Sequence, residues 1–296
     1  MINKTTTPNV LFVINQRSGS ERKNYEPIIK TFAASRQWTI NFYTLSAYDD
    51  GKEITRLIAQ TKPETVVAVG GDGTITTVAK LVAGTDIKLG IIPAGSANGM
   101  AKELNISEDI GGALQNLAEG QSKKVDVLYI NNMLSLHMSD VGLNARLIKY
   151  FEAGNMRGRW GYARVALKVF FTRQVMRASI THDSETIKRK ALMIVLANAS
   201  KYGTGAVINP NGNPYDGIFE VVIIKQMGLI TLLKMWLNPL GLSPDHIEVI
   251  KAKKVHIQTQ RKMHFQVDGE YLGKVQHIDA YIDPAQVNII LPKKNE

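Results

Sequence analysis

Across the first 130 residues, short β-branched runs alternate with stretches of helical character, and no other feature restricts the fold of this chain as much. The runs are Val10–Ile14, Thr39–Leu45, Thr65–Val69, Leu89–Ile92 and Val125–Ile130; between them lie Tyr25–Ser35, Glu53–Thr61, Ile75–Val82 and Gly111–Leu117. This rhythm predicts a mostly parallel sheet covered by helices. Ligands of such sheets sit beyond the carboxyl ends of the strands, so the loops that follow the strands are the first place to look for chemistry.

After about residue 130 strand-like runs dominate: Leu134–Val141, Arg177–Thr181, Ala191–Ala199, Phe219–Ile224, Val255–Gln258, His264–Val267 and Val275–Ile282. They are interrupted by one long helical segment, Ala145–Arg177, and a shorter one, Leu229–Leu237. The expected organisation is an α/β domain over residues 1–128 and a β-rich, sandwich-like domain over 129–283. The last run, Val287–Leu291, can return to either, and completion of the first domain by 284–296 is one arrangement.

The 296 residues are 44% hydrophobic and carry a net charge of +10, ordinary globular composition that excludes disorder and fibre. No apolar stretch reaches the roughly 18 residues of a membrane span; Met227–Leu242 comes nearest and is broken by Lys234, Asn238 and Pro239. The run Val10–Ile14 is too short for a secretory signal core. The absence of cysteine excludes disulfides, thiolate metal sites and cysteine nucleophiles, and it fits a cytoplasmic location. Residues 1–128 carry 14 Lys and Arg against 13 Asp and Glu, whereas 129–296 carry 22 against 13. The basic second half suggests an anionic surface as partner.

The most informative stretch is Thr65–Thr76, in which a strand ends in Gly70, Gly71, Asp72, Gly73 and Thr74 before a helix begins. Glycines permit close backbone approach, and the helix amino terminus offers N–H groups to a phosphate. A dinucleotide fingerprint needs glycine where Thr76 stands, and a Walker loop needs Gly-Lys-Ser/Thr, so neither pattern matches. An acid inside the turn repels bare phosphate and suits a phosphate carrying Mg²⁺; a tight turn capped by Asp is the plainer reading. A second bend, Pro93 through Gly95, Ser96 and Asn98 to Ala101, follows the next strand. Two adjacent post-strand bends line one crevice.

These residues carry a family resemblance. GGDGT followed by PAGSANGMAKEL resembles the diacylglycerol kinase catalytic domain shared by bacterial lipid kinases, sphingosine kinases and ceramide kinases. The resemblance extends over most of the chain. It implies a Rossmann-like nucleotide domain that binds ATP with Mg²⁺. In NQRSG, Asn15, Ser18 and Gly19 resemble the family's Asn-Pro-x-Ser-Gly loop, with Gln16 in place of the proline, and the implied nucleotide contacts are Asn15, Thr44 at the end of the second strand, Gly70–Thr74, and Gly95, Ser96 and Asn98. HFQVDGEYL resembles the family's Asp-Gly-Glu segment, which implies Glu270 as the base that deprotonates the lipid hydroxyl. Asp126 in KKVDVLYI is similar to an aspartate that helps organise Mg²⁺ and acceptor. Asn213–Ile218 resembles a structural Mg²⁺ segment, with Asp216 as carboxylate and main-chain carbonyls such as those of Asn213 and Ile218; a turn before the strand Phe219–Ile224 is the alternative. The chain departs from the family at Thr76 and Thr77, where Asn and Glu are usual, and at Gly99, where Asp is common. The Pro-Ala-Gly-Ser wording leans toward the sphingosine and ceramide kinases.

Lys149–Arg177 holds seven basic residues against one acid, interleaved with aromatics. A helix of that composition can lie in a headgroup layer, with Arg157, Arg159, Trp160 and Arg164 as membrane contacts; inward-packed aromatics with solvated charges are the alternative. The expectation is therefore an ATP- and Mg²⁺-dependent lipid kinase, peripheral to an anionic membrane, without nucleic acid as partner. Its oligomeric state, homodimer included, stays open. The rival readings are an NAD kinase-like enzyme and a non-catalytic lipid-binding or regulatory protein.

Overall fold

The computed structural model describes residues 7–19, 24–46, 49–152, 172, 174–202, 206–207, 209, 212–226 and 246–293. The chain divides into two compact units: Met1–Val125 with Ala285–Glu296, and Asp126–Pro284.

The first unit runs β1 (Asn9–Ile14), α1 (Glu26–Ser35), β2 (Thr39–Thr44), α2 (Asp50–Thr61), β3 (Thr65–Gly70), α3 (Asp72–Val82), β4 (Lys88–Pro93), α4 (Gly99–Glu103) and α5 (Ile110–Glu119). The strands are parallel in the order β2, β1, β3, β4. The closing end of the chain's last strand adds a parallel neighbour to β4 through Asn288 opposite Lys88 and Ile289 opposite Leu89. β1, β3 and β4 are buried along nearly their whole length. That is why they read as continuous apolar runs rather than alternating ones. On one face Phe12, Val67, Val69 and Ile92 pack with Ile29 of α1 and Ala113, Leu114 and Leu117 of α5. Because β2 lies on one side of β1 and β3 on the other, the strand order reverses between β1 and β3. A ligand crevice opens at the carboxyl ends of strands at such a point.

The second unit contains β5 (Gln121–Ile130, entering from the first unit), β6 (Met133–Ser135), β7 (Met138–Gly142), α6 (Leu143–Glu152), β8 (Met176–His182), β9 (Glu185–Ala191), β10 (Met193–Ala197), β11 (Lys201–Tyr202), β12 (Ala206–Val207), β13 (Phe219–Ile224), β14 (Ile247–Ala252), β15 (Lys254–Val267) and β16 (Glu270–Leu291). Antiparallel pairing orders the main sheet as β14, β13, β10, β7, β15, β16, while β8 pairs with both β15 and β9. One face packs Val141, Ile194, Leu196, Val221, Ile223 and Phe265 into a core; the other packs Met193, Val195, Val222 and Ile224 against Leu143 and Leu147 of α6.

Three expectations need correction. The run Leu134–Val141 is two strands, broken at Leu136–His137. The helical segment does not reach Arg177: that residue lies in β8 opposite Lys190, within an alternating buried and exposed pattern that belongs to a strand. Val255–Gln258 and His264–Val267 are parts of the single strand β15, joined through the exposed stretch Gln260–Lys262. The expected helix Leu229–Leu237 lies outside the described residues.

Candidate active site

Three bends meet at the carboxyl ends of β1, β3 and β4. The N–H of Asn15 donates to the Val69 carbonyl at 2.9 Å, and that of Ala94 to the Gly70 carbonyl at 2.8 Å. The Asn15 side chain donates from Nδ2 to the Thr74 hydroxyl at 3.2 Å, and the Ser18 hydroxyl accepts the Gly71 N–H at 3.3 Å. Glycine is required where the backbones touch. A Cβ on Gly95 would stand 2.5 Å from the Gly71 Cα, and one on Gly70 would stand 2.3 Å from the Thr74 hydroxyl. Real Cβ atoms do not approach that closely, so a larger residue at Gly95 forces the two bends apart and one at Gly70 displaces the Thr74 side chain.

α3 starts inside this cluster. Gly71 is its extended N-cap, with the N–H groups of Thr74 and Ile75 donating back to the Gly71 carbonyl. The opening of a helix carries partial positive charge that draws anions. Asp72, in the first turn, reaches across to the next bend: its two carboxylate oxygens accept the N–H groups of Gly99 and Met100, each at 2.9 Å. The second bend is tied from its own side as well, since Asn98 accepts the Gly95 N–H at 2.8 Å and donates to Glu108 at 3.0 Å. The expected Asn15, Gly70–Thr74, Gly95, Ser96 and Asn98 are thus brought together, and Thr44 ends β2 opposite Ile14 on the same edge of the sheet. Ser18 and the N–H groups of Gly99 and Met100 join them. Sequence reasoning missed these two donors because a main-chain group leaves no residue type to read.

The second unit holds the remaining candidates. Asp126, 3% exposed, accepts the Gly217 N–H at 2.7 Å, and its own N–H donates to the Pro214 carbonyl at 2.8 Å. It therefore grips the turn that carries Asn213, Asp216 and Ile218, a segment that the sequence reading kept apart from Asp126. Asp216 is exposed and accepts the Ile218 N–H at 3.2 Å. Beside the turn, burial and, more weakly, the Asp216 charge push the Glu220 carboxyl above its ordinary range, against a hydrogen bond from Asn209 at 2.7 Å. Glu270, exposed, opens β16 opposite Val267. In the same Asp-Gly-Glu segment, Asp268 is the fixed group: at φ +47° its carboxylate accepts the Ser135 hydroxyl and the N–H groups of Leu136, His137 and Met138. The Asp-Gly pair marked the turn in the sequence; nothing there marked the four donors. Arg157, Arg159, Trp160 and Arg164 lie outside the described residues.

Among the described residues no cluster of three or more Asp, Glu or His stands ready to hold a metal. The oxygen-only donors at Asp72 and at the Asn213–Ile218 turn suit a hard divalent cation that keeps most of its shell from water or phosphate.

Residues 9–130 match the family described as the diacylglycerol kinase catalytic domain, and residues 138–291 match the YegS C-terminal NAD kinase beta sandwich-like domain. The chain belongs to the diacylglycerol kinase catalytic-domain family. It is 30% identical over 241 residues to a diacylglycerol kinase of Staphylococcus aureus, covering 76% of each chain, and 24% identical to one of Bacillus subtilis, covering 95% of this chain and 96% of that one. In fold it is similar to a diacylglycerol kinase from Bacillus anthracis, with TM-score 0.71 and 20% identity over 97% of this chain and 98% of that one. It is also similar to an NAD kinase from Archaeoglobus fulgidus, with TM-score 0.58 and 13% identity over 96% and 94%. The chain is a kinase of this superfamily. Among the described residues no helix is long and apolar enough to cross a membrane.

Proposed function

We propose that this kinase uses ATP and Mg²⁺ to phosphorylate a hydroxyl of diacylglycerol or a related lipid, such as a sphingoid base, ceramide or monoacylglycerol, at an anionic membrane surface. The observation that carries the nucleotide half is the interlock of Gly70–Thr74 with Gly95–Asn98 at the switch point of a parallel sheet, where the amino terminus of α3 suits an anion. Family membership carries the acceptor half.

Phosphoryl transfer asks a protein for positioning and charge neutralisation more than for covalent chemistry. Asn15, Ser18 and the glycine bends fix the polyphosphate, and Thr44 borders the nucleotide from β2. Glu270 takes the proton of the lipid hydroxyl, whose oxygen forms the new P–O bond while the bond to the β-phosphate breaks and ADP leaves. A positioned base of this kind contributes about 10² to 10⁴ in rate. Asp72 would help hold a Mg²⁺ that, when bound, would neutralise charge on the phosphates, and Asp216 with the carbonyls of Asn213 and Ile218, on a turn tied to Asp126, would hold a second ion. Arg157, Arg159, Trp160 and Arg164 are the proposed membrane contacts.

The deciding assay supplies radiolabelled ATP and Mg²⁺ with neutral detergent micelles of each lipid, and NAD in a separate arm. Label in a lipid phosphate, lost in Glu270→Gln, supports the reading. Label only in NAD replaces it with the NAD kinase reaction, and label in neither leaves a non-catalytic lipid-binding protein.

A further inference from the structure

The second unit carries a group of cations that the proposed reaction does not use. On α6, Arg146, Lys149 and Tyr150 stand at i, i+3 and i+4, which puts them on one face of the helix. On the hairpin of β15 and β16 the register shifts between His264 and Gln266, so that Lys274 lies across from His264 and Tyr271 across from Gln266. Gly273, at φ +91°, accommodates the extra residue of this bulge. Residues paired across a ladder share a face. The bulge therefore places Tyr271 and Lys274, three positions apart, on the same face as His264; in an unbroken strand they would point to opposite faces.

The helix and the hairpin meet through these side chains. Lys149 Nζ lies 5.8 Å from the Tyr271 ring centroid and 5.9 Å from that of Tyr150, while Arg146 Cζ lies 5.6 Å from the Tyr150 centroid. The Tyr271 hydroxyl is 2.7 Å from His264 Nδ1. Burial first, then the charges of Lys274, Lys149 and Arg146, hold that imidazole down to about 4. It is neutral at pH 7 and adds no positive charge to the group. Among the described residues no carboxylate pairs with Arg146, Lys149 or Lys274. Leu272, in the bulge, is 39% exposed. Glu270 is paired with Val267, a member of the core on the other face of the sheet, so the candidate base does not share this face.

We propose that this face binds the phosphate of an anionic phospholipid, with Arg146, Lys149 and Lys274 as its cations and Tyr150 and Tyr271 at headgroup level. Three cations without a carboxylate partner among the described residues, one of them, Arg146, also donating to the Thr172 carbonyl, complement a phosphate. Amphipathic tyrosines match the boundary between headgroup and acyl chain rather than a site for a dissolved ion. Each cation near such a surface is worth roughly fivefold in affinity, or about a hundredfold for three.

The test is sedimentation of the full chain, without nucleotide, with phosphatidylcholine vesicles that contain or lack phosphatidylglycerol. Wild type binds the anionic vesicles, and Arg146→Gln/Lys149→Gln/Lys274→Gln loses about a hundredfold. A charge-matched control, Lys188→Gln/Lys190→Gln/Lys254→Gln, loses far less, and the charge-keeping Arg146→Lys/Lys149→Arg binds as wild type does, which covers misfolding of the neutral variant. Equal loss in both neutral triples assigns binding to overall charge and overturns the proposal. So does wild-type protein that ignores the vesicles, or that is displaced from them by millimolar inorganic phosphate. Because no phosphoryl transfer is read, the result is independent of whether the chain phosphorylates a lipid.

Discussion

Asp72 accepts the main-chain N–H of Gly99 at 2.9 Å, joining the first turn of α3 to the first turn of α4 across 27 positions of sequence. With Met100 on its other oxygen, the carboxylate clamps one glycine bend to the other.

The Asp72→Asn variant keeps one acceptor and turns an amide N–H₂ toward the other donor. It is expected to lose about 1–3 kcal/mol of stability, read by urea unfolding, and at least about a hundredfold in lipid phosphorylation. Unchanged stability would remove the clamp; unchanged turnover would remove the acid from the reaction.

Glycine substitution separates contact from generic cost. Gly95→Ala drives a Cβ to 2.5 Å from the Gly71 Cα and should cost about 1–3 kcal/mol together with most nucleotide affinity. Gly51→Ala in α2 has nothing within 4 Å of its Cβ and should be neutral or stabilising by up to about 1 kcal/mol. Thermal melts with and without ATP compare the two.

Asp126→Ala leaves the Gly217 N–H without its acceptor in a buried setting. The expected cost is about 1–3 kcal/mol. Hydrogen exchange should quicken at Gly217 and Ile218 while amides of β1 and β3 stay protected. Uniformly faster exchange in both units would contradict a local role.

His264 sets a pH dependence. Its folded pKa of about 4 lies below the ordinary 6.5, with burial as the main cause. Between those values the unfolded chain takes up a proton that the folded chain refuses, so stability is full above about pH 6.5 and falls toward pH 4. The loss is at most about 3 kcal/mol, reduced by residual solvent contact. In His264→Gln the unfolding free energy should be flatter across that window.

Much of this was readable beforehand. The buried strands β1, β3 and β4 announced themselves through unbroken β-branched runs, and the bends after them through glycine. β9 did not, because its exposed, charged sequence ETIKRKA buries only its last residue and is held by pairing with β8. α4 escaped because five residues are too few to show a period, and its start is fixed by Asp72 from a distant bend. The candidate residues were legible as types, while their ties were not. Neither the grip of Asp126 on the Asn213–Ile218 turn nor the four donors on Asp268 leaves a trace in spacing, since both involve main-chain groups far away in the sequence.

A Cβ added to Gly95 would meet the Gly71 backbone and one added to Gly19 would stand 2.8 Å from the Ala94 carbonyl oxygen, which makes the three bends one mechanical part. Descendants of this chain cannot enlarge any of these positions alone. A methyl at one must be matched by a retreat at its neighbour, so drift here should proceed in coordinated pairs.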